Sequence, residues 1–174
     1  MLDPLGLELV ETIASASEGT LGSAIFFGSR SSGVATTRAS AYDLMLICPE
    51  PSVFYRGVHR AGLLHRSPAV LALLDHWLPP TQVRLARDSW VVKASVVSGA
   101  ALVRAASTRR KDQFLAGRLF QDVHVVWARD PASRREAEAA IESSRRVTLD
   151  WVAPDLGLRF HCAPAPRNKI VFPS

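Results

Sequence analysis

The chain has 174 residues, 48% of them hydrophobic, which makes one domain of ordinary size with apolar side chains enough for a core. Cys48 and Cys162 are too few for a disulfide scaffold and too isolated for a zinc finger or ribbon, and no apolar run reaches the roughly 18 residues of a spanning helix. The net charge of +5 is carried mostly by arginine, a pattern that fits phosphate or carboxylate pairing and equally fits codon bias in a GC-rich genome.

Asp3-Pro4 reads as a helix start, with Leu7, Val10, Ile13 and Ala14 at helical spacing and Gly19 and Gly22 closing the segment. Ala24-Ile25-Phe26-Phe27 is a short buried strand ended by Gly28-Ser29, and the small polar residues 30–40 form a loop. A second strand runs from Ala41 to Cys48, stopped by Pro49-Glu50-Pro51. Helices are expected over Val53–Leu64 and Ala69–Leu78, then a hairpin of Val83–Ala86 and Trp90–Val97 joined by Arg87-Asp88-Ser89. Ser98 caps a helix reaching Ala106, Asp112–Phe120 is another, and Val123–Ala128 is a strand. Ser133 with Glu136 three residues on has the capping-box pattern of a helix reaching about Arg146.

These elements predict an α+β domain over residues 1–152, with the strands around Phe26, Leu44, Val92 and Val125 in one small mixed sheet flanked by helices. Residues 153–174 form a Pro-rich tail with little periodicity. Asp3, Glu8 and Glu11 stand where a signal peptide is basic, so the expected location is the cytoplasm.

The chemistry centres on Phe26-Phe27-Gly28-Ser29, the polar loop, and Tyr42-Asp43-Leu44-Met45-Leu46. This layout resembles the polymerase-β-like nucleotidyltransferases. The resemblance implies that Gly28 lets backbone approach a triphosphate, that Ser29 offers it a hydroxyl and an N–H, and that Asp43 holds a Mg²⁺ with those phosphates. The usual second acid, two residues on, is Met45 here, which leaves Glu50 past the strand end as the nearest further donor.

Lys93-Ala94-Ser95-Val96-Val97-Ser98 and Phe114-Leu115-Ala116-Gly117-Arg118-Leu119, with Val123 shortly after, narrow the resemblance to one branch. They are similar to the Lys-Tyr-Gly-Val-Ile-Ser and Tyr-Leu-Ala-Gly-Arg-Leu-His-Lys-Pro-Val segments of the mitochondrial-type phosphatidate cytidylyltransferases, the translocator-maintenance family. That branch also has a single aspartate followed by apolar residues, so Met45 is shared with it. The family's Trp-His pair is Phe54-Tyr55 here, its His-Tyr-Ser triplet is His65-Arg66-Ser67, its phosphate-loop glycine is Arg30, and its His-Lys-Pro is Phe120-Gln121-Asp122. The resemblance covers about Ala24 to Trp127, and the sequence reads as a short form of the family, with most of its C-terminal helical region lacking after Arg146.

The resemblance implies a magnesium-dependent transfer of a nucleotidyl group from CTP to a phosphate-bearing acceptor, with release of pyrophosphate. Asp43 and Lys93 would be catalytic, and Gly28, Ser29, Lys93, Arg118, His65 and Ser67 would bind nucleotide. Asp43 and Glu50 would bind metal. The acceptor would be phosphatidate, with peripheral membrane contact and no nucleic acid as partner. Rival readings are transfer to a soluble metabolite or a protein, and a degenerate module that only binds nucleotide or a partner. Each residue also has a plainer reading. Asp43 would pair with a buried arginine, Lys93 would face solvent, Arg118 would brace a loop, and His65 would be structural. Arg104, Arg109, Arg110 and Lys111 form either a solvated face or an anion-facing one. The apolar run from Leu63 through Trp77 is either a core helix or a lipid-docking surface.

Overall fold

In a computed structural model, which describes residues 4–28, 41–77, 81–87, 90–107, 113–156, 159–161 and 169–171, helix α1 (Pro4–Ala16) comes first. Its buried side is Gly6, Leu9, Val10 and Ile13, the i, i+3, i+4, i+7 stripe of an amphipathic helix. Leu7, expected to face the core, is instead exposed, because the stripe begins at Gly6. The helix ends where Glu18 and Gly19 both take left-handed backbone, with φ of 53° and 77°. Ser17 secures the exit: its hydroxyl donates to the Ala14 carbonyl and accepts from the Leu21 amide.

Strands β1 (Ser23–Phe27) and β2 (Tyr42–Ile47) pair antiparallel, Ser23 opposite Ile47 and Phe27 opposite Asp43. Helix α2 (Pro51–Arg60) follows, Pro51 opening it just after the exposed Glu50. It stops four residues short of the expected Leu64: Gly62 turns with φ 74°, the Leu63 amide donates back to the Val58 carbonyl, and Leu63 and Leu64 drop into the core as a plug. Helix α3 (Pro68–Trp77) buries Leu71 and leaves Val70, Leu73, Leu74 and Trp77 exposed. The lipid-docking and core-helix readings of this stretch therefore divide between its residues: the plug is core, while one stripe of α3 is not.

Strands β3 (Thr81–Arg87) and β4 (Trp90–Val97) form the expected antiparallel hairpin, and β4 runs parallel to β2. Helix α4 (Gly99–Ser107) is capped by Ser98, whose hydroxyl accepts from the Ala101 amide. Helix α5 (Gln113–Phe120) leads to β5 (His124–Ala128), antiparallel to β1 with a register shift between Ala24 and Ile25. The last long helix, α6, spans Pro131–Leu156. Its cap is Asp130, which accepts the Ser133 amide at 2.7 Å, so the expected Ser133 capping box is displaced by three residues. The helix also runs ten residues past the expected end at Arg146, through the expected start of the tail, and residues 159–161 and 169–171 pair as a short hairpin, β6 and β7.

The five-stranded sheet has the order β3-β4-β2-β1-β5, with helices on both faces, a mixed α+β architecture. Alternation along the strands divides two cores. Tyr42, Leu44, Leu46, Val92, Ala94 and Val96 pack toward α1, α2, the Leu63-Leu64 plug and Leu71. Met45, Ile47, Ile25, Phe27 and Val97 pack toward Leu102 of α4, Leu115 and Leu119 of α5, and Ala137 and Ile141 of α6. Among the described residues no helix is long and apolar enough to cross a membrane.

Candidate functional site

Asp43 is the second residue of β2, at the end of the strand where the second core gives out. Its neighbours Tyr42 and Leu44 point into the first core, so pleating turns Asp43 to the α4–α6 side. It is half-buried, opposite Phe27 on β1 and opposite Lys93 on β4. Partners in register share a face, so the Lys93 side chain stands beside the carboxylate across the parallel pair.

Gly28 follows Phe27 and takes φ 88°, a conformation that favours glycine. A Cβ there would stand 2.5 Å from Oδ2 of Asp43. The carboxylate thus lies directly against bare backbone. From α5, Leu115 and Leu119 reach the second core, and Arg118 on the same side sets its guanidinium 5.2 Å from the centroid of the Phe27 ring. Burial pushes the Asp43 carboxyl above its ordinary value of 3.8, and Lys93 first and Arg118 second pull it back down. Gly28, Asp43, Lys93 and Arg118, four of the expected site residues, converge from β1, β2, β4 and α5.

The other expected residues do not join them. Glu50 lies beyond the far end of β2; at roughly 3.3 Å per residue the strand carries the chain well away from Asp43 before Glu50 is reached. The expectation that it completes the metal site with Asp43 is therefore corrected. His65 and Ser67 are exposed, next to the buried Leu63 and Leu64 on the α1–α3 side, whereas Asp43 faces the opposite side. That segment is tied to edge strand β3 by the Ala86 amide donating to the Leu63 carbonyl. Ser29 and Arg30 lie outside the described residues, as do Arg109, Arg110 and Lys111. Gly117 of α5 does not serve close packing, since a Cβ there meets nothing within 4 Å.

Sequence reasoning passed over Arg84. It lies directly opposite Lys93, on the same face, and is exposed. The register pairs Arg87 with Trp90 and hence position 84 with 93, whereas the connection read as Arg87-Asp88-Ser89 does not give that pairing. A second group passed over is internal. Asp75 of α3 lies near Tyr55, Thr81 and Cys48, and burial with the Asp75 charge pushes both the Cys48 thiol and the Tyr55 phenol far up, so both stay neutral. Cys48 is thereby a buried, inert thiol of the core.

Among the described residues no group of three or more His, Cys, Asp and Glu stands ready for a metal ion. A carboxylate outside any such group does not suit zinc, which takes several protein ligands, but Asp43 suits magnesium, which takes one or two carboxylates and completes its shell with phosphate oxygens and water. The arrangement is one hard carboxylate set against glycine backbone and flanked by two cations, a set of groups suited to polyphosphate. No protein-family model and no curated protein matches this chain.

Proposed function

We propose that the protein is a magnesium-dependent nucleotidyltransferase acting on a phosphate-bearing acceptor, at a cytoplasmic location with peripheral membrane contact when that acceptor is a lipid. The observation that carries this reading is the register of Asp43 between Phe27 and Lys93, with Gly28 backbone against its carboxylate. The resemblance to the phosphatidate cytidylyltransferases favours CTP as donor and phosphatidate as acceptor.

Asp43 would hold Mg²⁺, which when bound supplies charge neutralisation to the donor's phosphates. Gly28, lacking a side chain, makes room for the Asp43 carboxylate against its backbone and so sets it where the donor's phosphates would lie. Lys93 and Arg118 flank the carboxylate and neutralise charge that gathers on the departing pyrophosphate. An oxygen of the acceptor phosphate attacks the α-phosphorus in line, an O–P bond forms, the α–β bridge breaks, and pyrophosphate leaves with the bonding pair. The acceptor is already anionic at neutral pH, so the site needs no strong base. Positioning and charge neutralisation then supply the rate.

The test is pyrophosphate release from CTP and Mg²⁺ with phosphatidate in anionic vesicles, compared with a panel of soluble phosphates. Release with vesicles supports the lipid acceptor, and release only with a soluble phosphate moves the acceptor to that class. Silence with every acceptor overturns the enzymatic reading. The remoteness of Glu50 favours a second reading in that event, a module that binds nucleotide without turning it over. Thermal stabilisation by nucleotide then separates binding from no function at this site, since a ligand at 100 times its Kd adds about 2.7 kcal/mol.

A further inference from the structure

Arg84 and Lys93 oppose each other across the β3–β4 hairpin, both exposed, on the face that carries Asp43. Like charges at directly opposed positions of a sheet repel. Lys93 has relief, because Asp43 stands in register on its other side. Arg84 has none from the sheet: β3 is the edge strand, and none of the ion pairs among the described residues engages Arg84. The row therefore reads Arg84, Lys93, Asp43, Phe27, with Arg118 stacked over the last ring, and its open end is cationic.

We propose that Arg84, together with Lys93, binds the phosphate monoester of the acceptor substrate. The proposal rests on the nucleotidyl-transfer reading above and assigns the second half of that site. Neighbouring strands lie about 4.8 Å apart, so Arg84 stands two strand spacings, roughly 10 Å, from Asp43 at the backbone, with Lys93 midway. A phosphate held between Arg84 and Lys93 thus lies beside the phosphates at Gly28 and Asp43 without displacing them. The planar guanidinium grips two oxygens of a monoester dianion and leaves a third free to attack, while Lys93 serves as a point charge shared by both substrates. Two opposed cations match a dianion in charge, which removes the repulsion that the empty row carries. The acceptor enters from the β3 edge, where Gln82 and Arg84 are exposed, because Arg118 on Phe27 occupies the other flank.

The experiment compares wild type with Arg84→Gln and Arg84→Lys in two arms, glycerol 3-phosphate followed by NMR titration and phosphatidate in phosphatidylcholine vesicles followed by flotation. Affinity for a non-hydrolysable CTP analogue with Mg²⁺ is measured alongside by calorimetry. The expected result is a loss of about tenfold or more in monoester affinity for Arg84→Gln, partial recovery in Arg84→Lys, and nucleotide affinity within about twofold of wild type. A loss confined to the vesicle arm identifies a lipid headgroup, and one in the soluble arm identifies a free phosphate. Unchanged monoester affinity in Arg84→Gln, or no monoester binding by wild type, overturns the proposal. An equal loss of nucleotide affinity also overturns it, by placing Arg84 in the donor subsite. Arg84-dependent monoester binding in a wild type that binds no nucleotide upholds the phosphate site and overturns nucleotidyl transfer instead.

Discussion

Asp43 and Gly28 are one structural unit, because the missing Cβ of the glycine is what makes room for the carboxylate. Gly28→Ala meets two penalties at once: a left-handed φ of 88° and a Cβ 2.5 Å from Oδ2. The backbone strain alone costs about 1 kcal/mol, so the melting temperature should fall by about 2–4 °C or more, and magnesium-dependent turnover should fall much further as the carboxylate is displaced. A variant that melts lower but keeps full activity would separate Asp43 from the chemistry. Asp43→Asn should behave in the opposite way. Burial raises the Asp43 carboxyl above 3.8, so its favourable contribution is complete below 3.8 and is lost as pH rises through the raised value. Without nucleotide, Asp43→Asn should therefore melt at or above wild type at pH 7, with the difference shrinking toward pH 4, while pyrophosphate release disappears. Melting curves across that range check the sign, and unchanged turnover in Asp43→Asn would sink the mechanism. This much of the site was legible beforehand. A glycine ending an apolar strand and an aspartate inside the next one break the local pattern in ways that a core alone does not require. Glu50 misled for the converse reason: nearness in sequence was read as nearness in space, although an extended strand separates its ends more than any other element.

Elements whose limits are set by period alone were read well, and limits set by a single turn or cap divided: the Ser98 cap of α4 is as expected, whereas the end of α2 and the start of α6 are not. The alternation of Val83, Leu85, Val92, Ala94 and Val96 specifies the hairpin because a pleated strand buries every second side chain. The end of α2 depends instead on Gly62 entering left-handed backbone, which composition signals only weakly. The start of α6 depends on Asp130 outcompeting Ser133 as the cap, and either residue satisfies the sequence preference. The amide of Ser133 and the Arg129 guanidinium hold the exposed Asp130 carboxyl below 3.8, so its contribution is present above 3.8 and is lost as pH falls through the lowered value. Asp130→Ala should lower the melting temperature at pH 7 and leave it close to wild type at strongly acid pH, whereas Ser133→Ala should do little at either. Equal effects of the two would restore the capping box. Helix packing offers a sharper test. Gly57 of α2 faces the end of α1, and a Cβ there would stand 2.5 Å from the Ala16 carbonyl oxygen. Backbone cannot yield as a side-chain tip does, so Gly57→Ala should cost about 1–3 kcal/mol, readable in urea unfolding. A neutral substitution would mean that α1 and α2 adjust more freely than their contact implies.

At the scale of the molecule, the sheet consists of an antiparallel set, β5-β1-β2, and an antiparallel hairpin, β4-β3, joined by the parallel pairing of β2 with β4. The sequence did not announce that junction. Its two strands are separated by α2, α3 and β3, and local patterns carry no record of which distant strands will meet. The junction has a mechanical consequence. Asp43 belongs to one side of the seam and Lys93 to the other, so a polyphosphate held by both is a rivet across it. Opening of the seam would separate the two binding groups, and bound ligand must therefore oppose that opening by its full binding free energy. Amide hydrogen exchange should report this directly. Nucleotide with magnesium should slow exchange most at the β2 and β4 amides from Tyr42 to Ile47 and from Val92 to Val97, and far less in β5. Uniform slowing across the sheet, or slowing confined to β1 and β5, would show that the two halves part elsewhere.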